Sequence, residues 1–167
     1  VTATGTQSIT LTGVTGASSY KVAFAHEDAY GNLSNVSIIS GTITLVVAPT
    51  LSSPTASTVK CTSASIGVTT DKSTGTLYGI LSTSATAPTA AQIKAGQNHT
   101  GAAATWAGNQ SISSTGAKSF TPTGLTPGST LYAHFTHYNG MDSNVASASA
   151  VTTKIITKIG SFFNNTS

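Results

Sequence analysis

Leu131-Tyr132-Ala133-His134-Phe135-Thr136-His137 is the stretch on which the fold turns. Leu131, Ala133 and Phe135 recur at every second position, the period of a strand with one buried face. The same phase appears earlier as Tyr20-Lys21-Val22-Ala23-Phe24-Ala25-His26, where Phe24 meets Phe135 and His26 meets His137 at an offset of 111. Toward the N-terminus, Ser8-Ile9-Thr10-Leu11-Thr12-Gly13-Val14-Thr15 resembles Ser119-Phe120-Thr121-Pro122-Thr123-Gly124-Leu125-Thr126 at that offset. Toward the C-terminus, Gly31-Asn32-Leu33-Ser34-Asn35-Val36 matches Gly140-Met141-Asp142-Ser143-Asn144-Val145 at an offset of 109, so one hairpin loop differs by two residues. The chain therefore contains a repeat of about 110 residues. Residues 1–47 hold only the last part of one unit, residues 48–153 read as a whole one, and residues 154–167 form an apolar tail.

Within residues 48–153, short strands alternate with turn signals, the pattern of an all-β sandwich. Leu51 and Val59 belong to an opening strand region, Ala64, Ile66 and Val68 alternate with small polar residues, and Leu77 to Leu81 makes a third strand. Ile112 to Phe120 supplies further strand, and Leu131–His137 and Val145–Thr152 form a terminal hairpin across Asn139-Gly140. The two copies fix the phase of the penultimate strand: Tyr20, Val22, Phe24, Leu131, Ala133 and Phe135 point inward. Tyr132, His134, Thr136 and Tyr138 then point outward, either as an ordinary exposed strand or as a stripe that faces a partner. An insertion from Ala85 to Gly108 holds one helix of under two turns, because Thr89-Ala90-Ala91-Gln92 has capping-box spacing and Gly96 is placed to end it. Trp106, the single Trp, is placed in a loop, where it either caps the open end of the sandwich or stacks on a sugar ring.

Composition limits the chemistry. Of 167 residues only seven Lys and four Asp plus Glu carry charge, Arg is absent, and 31 Thr and 24 Ser supply the polar surface. The net charge of +3 does not indicate nucleic-acid binding, since the lysines at 21, 60, 72, 94, 118, 154 and 158 are scattered. No apolar run is long enough for a membrane-spanning helix. Cys61 is the single Cys and reads as a small apolar side chain. Glu27 and Asp28 are adjacent and diverge, while Asp71 and Asp142 read as turn formers, so no carboxylate pair converges for acid–base work. His134 and His137 are three apart on one strand and face opposite sides, which denies them a shared metal.

The phrase Gly124-Leu125-Thr126-Pro127-Gly128, followed by an inward aliphatic strand and a Gly-x-x-Ser hairpin, resembles a fibronectin type III domain. Pro88-Thr89-Ala90-Ala91-Gln92-Ile93-Lys94-Ala95-Gly96, taken with Ala25-His26-Glu27-Asp28-Ala29-Tyr30-Gly31-Asn32, is similar to Ig-like modules in virion structural proteins of tailed bacteriophages and prophages. The likeness covers most of residues 8–153. It departs at one place: the fibronectin pattern expects Tyr six residues after the turn Leu, and Leu131 stands there in the second copy.

That resemblance implies a non-enzymatic decoration, tail or fibre module located on the virion, with no catalytic residue, cofactor or metal. It implies other virion proteins or copies of the chain itself as partners, and cell-surface glycans as a further class. The candidate binding residues are Tyr132, His134, Tyr138 and Trp106. Ile155, Ile156, Ile159, Phe162 and Phe163 fall on one face of a helix, and this segment either docks on a neighbouring subunit or folds back on its own sandwich. A carbohydrate-binding accessory module of a secreted bacterial enzyme or adhesin is the alternative from a different class. The missing half-domain has two explanations: the chain is a C-terminal fragment of a longer protein, which the absent initiator Met favours, or its first strands complete a neighbour by strand addition.

Overall fold

The computed structural model describes residues 10, 12–14, 19–38 and 43–155. The chain divides into two compact units, Val1–Val47 and Ala48–Ser167.

The second unit is an all-β sandwich of fibronectin type III-like, Ig-like form. One sheet joins β5 (Leu51–Ser57), β6 (Ser65–Thr70) and β9 (Gly116–Phe120) in the order β5-β6-β9. The other runs β11-β10-β7-β8, built from β7 (Thr76–Ser82), β8 (Trp106–Ser111), β10 (Thr130–Tyr138) and β11 (Ala146–Ser147), with β12 (Val151–Thr152) also on β10. All of these pairs are antiparallel. Between the sheets lies one core that includes Ile66, Val68, Leu77, Leu81, Phe120, Leu131 and Phe135. Leu131, Ala133 and Phe135 have no solvent exposure, as the alternation predicts.

Three boundaries differ from expectation. The segment expected as strand from Ile112 onward starts only at Gly116, because Ile112 turns its amide to the Gly75 carbonyl and drops its side chain into the core. Trp106 opens β8 and is not in a loop. Its ring meets Phe120 edge-on at 5.6 Å and lies over Gly108, whose missing Cβ leaves it room. Thus it closes the side of the sandwich where the edge strands β8 and β9 meet. The last strand is broken into β11 and β12 across residues 148–150, where the Ala148 amide still donates to the Ala133 carbonyl at 3.0 Å.

Leu131, standing where the fibronectin-like resemblance led to the expectation of Tyr, lies in the core and offers no hydroxyl. Thr153 ties the corner instead. Its buried hydroxyl donates to the Thr126 carbonyl at 2.7 Å and accepts from the Ser129 amide at 2.9 Å.

The insertion before β8 forms α1 (Ala90–Lys94), with the Thr89 hydroxyl and Gln92 side chain completing the capping box and Gly96 at φ +70° beyond it. This helix lies on β7 and β10. It buries Ile93 together with Ile80, and neither belongs to the core between the sheets. The β7–β10 sheet is therefore covered on both faces.

In the first unit, β1 (Ser19–Tyr20) pairs with β4 (Ile43–Thr44) and β2 (Ala23–Phe24) with β3 (Ser37–Ile38). Each pair repeats a register of the second unit. Ser19↔Thr44 and Tyr20↔Ile43 correspond to Thr130↔Thr152 and Leu131↔Val151. Ala23↔Ile38 and Phe24↔Ser37 correspond to His134↔Ser147 and Phe135↔Ala146. The bridge Glu27↔Leu33 corresponds to Tyr138↔Asp142.

Candidate interaction surface

A single Ser sets the hairpin turn in both units. The amides of His26 and His137 each donate to a Ser hydroxyl, Ser34 or Ser143, at 2.8 Å. The amide of that Ser returns a bond to the His carbonyl at 2.7 Å in the first unit and 2.8 Å in the second. Its hydroxyl then donates to the next carbonyl, Asn35 or Asn144. A Gly-x-x-Ser-Asn sequence therefore does the work of one ladder rung, which explains why both copies keep it where the loop lengths differ.

The outward residues of β10 do not form an open stripe. His134 and Thr136 point outward as the phase requires, but they have no exposed surface, because the insertion and the β11 segment cover them. The His134 Nδ1 lies 2.8 Å from the Ser147 hydroxyl and its Nε2 3.3 Å from the Ser84 carbonyl. A carbonyl only accepts, so Nε2 carries a hydrogen, and both ring nitrogens are engaged. Burial pushes its pKa below the usual 6.5; the Ser84 carbonyl opposes this and the nearby His99 reinforces it. His137 lies on the inner side, with Nδ1 2.7 Å from the Thr70 hydroxyl and Nε2 2.8 Å from the Thr74 carbonyl. These two histidines thus support opposite faces of one strand.

Of the remaining candidates, Tyr132 is half-buried and Tyr138 is exposed. The Lys94 ammonium sits 4.5 Å over the Tyr138 ring and 2.6 Å from the Asp142 carboxylate, so Tyr138 is held between α1 and the hairpin tip. Trp106 is half-buried against Phe120, which removes one ring edge from any ligand. Ile155 is exposed, whereas Ile156, Ile159, Phe162 and Phe163 lie outside the described residues. Among the described residues no group of three or more His, Cys, Asp or Glu could hold a metal. No helix there is long and apolar enough to cross a membrane.

Most of the large apolar residues exposed among the described residues lie in the first unit. Tyr30, Leu33, Val36 and Ile38 are exposed, and Phe24, equivalent to the fully buried Phe135, is 39% exposed. The contrast could be inferred from the repeat, since residues 1–47 lack the counterparts of β5 to β8. The small cluster of Ile80 and Ile93 had a weaker signal, one Ile inside a capped helix of five residues.

No protein-family model matches the chain, and no curated protein matches it. Among solved structures, the sensor domain of the anti-sigma factor RsgI4 of Pseudobacteroides cellulosolvens is 18% identical, with 66% of this chain and 99% of that one covered and a TM-score of 0.41. The FN1–FN3 domains of chicken CNTN1 are 14% identical, with 86% of this chain and 45% of that one covered and a TM-score of 0.46.

Proposed function

We propose that this chain is a non-enzymatic structural protein that acts by contact, as a decoration, tail or fibre module of a tailed-phage virion. The observation that carries this reading is the register-for-register recurrence of one hairpin in both units, the mark of a modular array. A surface of Ser and Thr with few charges suits a spacer or adhesive body, and the polar side chains that are buried serve the fold, as His134, His137, Ser143 and Thr153 do. Partners in this reading are other virion proteins or further copies of the chain, with the apolar tail from Lys154 onward as a docking segment.

Antibodies against the second unit, applied to purified particles from the producing host, test the assignment by electron microscopy. Labelling at a fixed place on the particle supports it. Recovery of the chain only in the soluble secreted fraction, with glycan binding that Trp106→Ala abolishes, would replace it with the carbohydrate-binding alternative. Deleting residues 154–167 is expected to prevent incorporation, and unchanged incorporation would remove the docking role.

A further inference from the structure

In the second unit His134 and Ser147 pair across β10 and β11 on the outer face of the sheet, and their side chains meet there at 2.8 Å. Tyr138 and Asp142 lie on that face too, since both meet Lys94 of α1. The counterparts of these four residues are Ala23, Ile38, Glu27 and Leu33, joined by the same pairs, Ala23↔Ile38 and Glu27↔Leu33. Lys21, Ala25 and Val36 match Tyr132, Thr136 and Val145 in the same way and fall on the same side. One strand of the first hairpin therefore presents the row Lys21, Ala23, Ala25, Glu27 outward. Ile38, Val36 and Leu33 stand beside it on the returning strand. In the second unit the insertion covers this face, whereas here every one of these residues is exposed, with Leu33 at 70%, Ile38 at 64% and Val36 at 63%. Large apolar side chains gathered on one uncovered face mark an interaction surface.

Charge decides what that surface fits. Among residues 1–47 only Lys21, Glu27 and Asp28 are charged. The Asp28 carboxylate is engaged by its own turn, accepting from the Tyr30 and Asn32 amides at 2.9 Å. Lys21 and Glu27 form no ion pair among the described residues and stand at opposite ends of the apolar patch, about 20 Å apart along the strand. Turned end for end and laid on itself, the face sets Lys21 over Glu27, Ala23 over Ala25 and Ile38 over Val36. The row Lys-x-Ala-x-Ala-x-Glu is thus complementary to its own reverse, as a two-fold contact between identical subunits requires. Its alanines let the two backbones approach closely, while the branched side chains of the other strand fill the space beside them.

We propose that this face binds the same face of a second copy of the chain, strands antiparallel, about a two-fold axis level with Phe24. A Lys21–Glu27 pair closes each end of an apolar centre built from Ala23, Ala25, Val36 and Ile38 of both copies. The contact narrows the partners named above to a further copy, yet it rests on the hairpin alone. A chain that stays monomeric overturns it and leaves the virion assignment untouched.

Sedimentation equilibrium of the 167-residue chain is the test, run from about 10 μM to 1 mM because a contact of this size is weak. A reversible species of twice 16.7 kDa is expected. Ile38→Asp, at an exposed position, is expected to raise the dissociation constant by about tenfold or more, because it leaves a charge unpaired in the centre. Lys21→Glu sets like charges together at both ends and should weaken the dimer by about tenfold. The double variant Lys21→Glu/Glu27→Lys restores both pairs with their signs exchanged, and its constant is expected to return to within about twofold of wild type. That rescue separates charge pairing from misfolding. A monomer at every concentration, a dimer indifferent to Ile38→Asp, or a double variant no tighter than Lys21→Glu each overturns the proposal.

Discussion

Thr153 and Gly75 show how single residues hold the corners of the second unit. Without its hydroxyl, position 153 would leave the Thr126 carbonyl and the Ser129 amide with their longer 3.4 Å bond to each other at the half-buried corner. Thr153→Val is expected to cost about 0.5–1.5 kcal/mol, read as a lowered midpoint of denaturant unfolding at constant slope. Gly75 has φ +106°, and a Cβ there would run into the backbone carbonyl of Tyr138, so no side-chain movement relieves it. Gly75→Ala should therefore destabilise more than Thr153→Val in the same assay. His134 makes stability depend on pH. Its folded pKa lies below the unfolded value of 6.5, so the unfolded chain binds the proton first. The neutral imidazole contributes its full stabilisation above about pH 6.5, and that contribution is lost as pH falls through the lowered folded pKa. Melting temperature is expected to drop on acidification in the wild type and to respond less in His134→Asn. An equal response in both would place the pH dependence elsewhere.

At the scale of elements, the insertion between β7 and β8 is a second small core laid on the outside of a sheet. Its helix is too short to be stable alone, so the burial of Ile93 where α1 packs on β7 and β10 and the Lys94–Tyr138–Asp142 cluster keep it in place. Ile93→Ala is expected to cost about 2–5 kcal/mol locally. Amide exchange should rise across residues 83–105 while the amides of β6 and β10 stay protected. If the whole sandwich loosened together, the insertion would be part of the main cooperative unit. The capping box at Thr89 could be read from spacing alone, because its bonds connect residues three apart. The face that α1 covers could not, since nothing local in the sequence states that Ile93 meets a strand more than ten positions away.

For the whole molecule, the informative comparison is one residue type in one register with two environments. Phe135 is enclosed by both sheets, whereas Phe24, at the same place in the same hairpin, is exposed. Phe135→Ala is expected to cost about 3–5 kcal/mol, and Phe24→Ala in the 167-residue chain about 0.5 kcal/mol or less, both read from chemical unfolding of the respective unit. Equal costs would mean that Phe24 is as well packed as its counterpart.

Period-two alternation, the repeat and the turn phrases were sufficient to derive the all-β class, the inward phase of β10, the short capped helix and the opposite facing of His134 and His137. Each of these follows from local geometry or from comparing two stretches of one chain. Three features depended on contacts between distant segments: the covering of His134 and Thr136, the packing of the Trp106 ring against Phe120, and the replacement of a corner Tyr by Thr153. Alternation determines which way a side chain points, but whether water or another element lies there depends on where an insertion 50 residues away comes to rest, as Ser84 does on His134. That is a property of packing in three dimensions, and only the tertiary structure decided it.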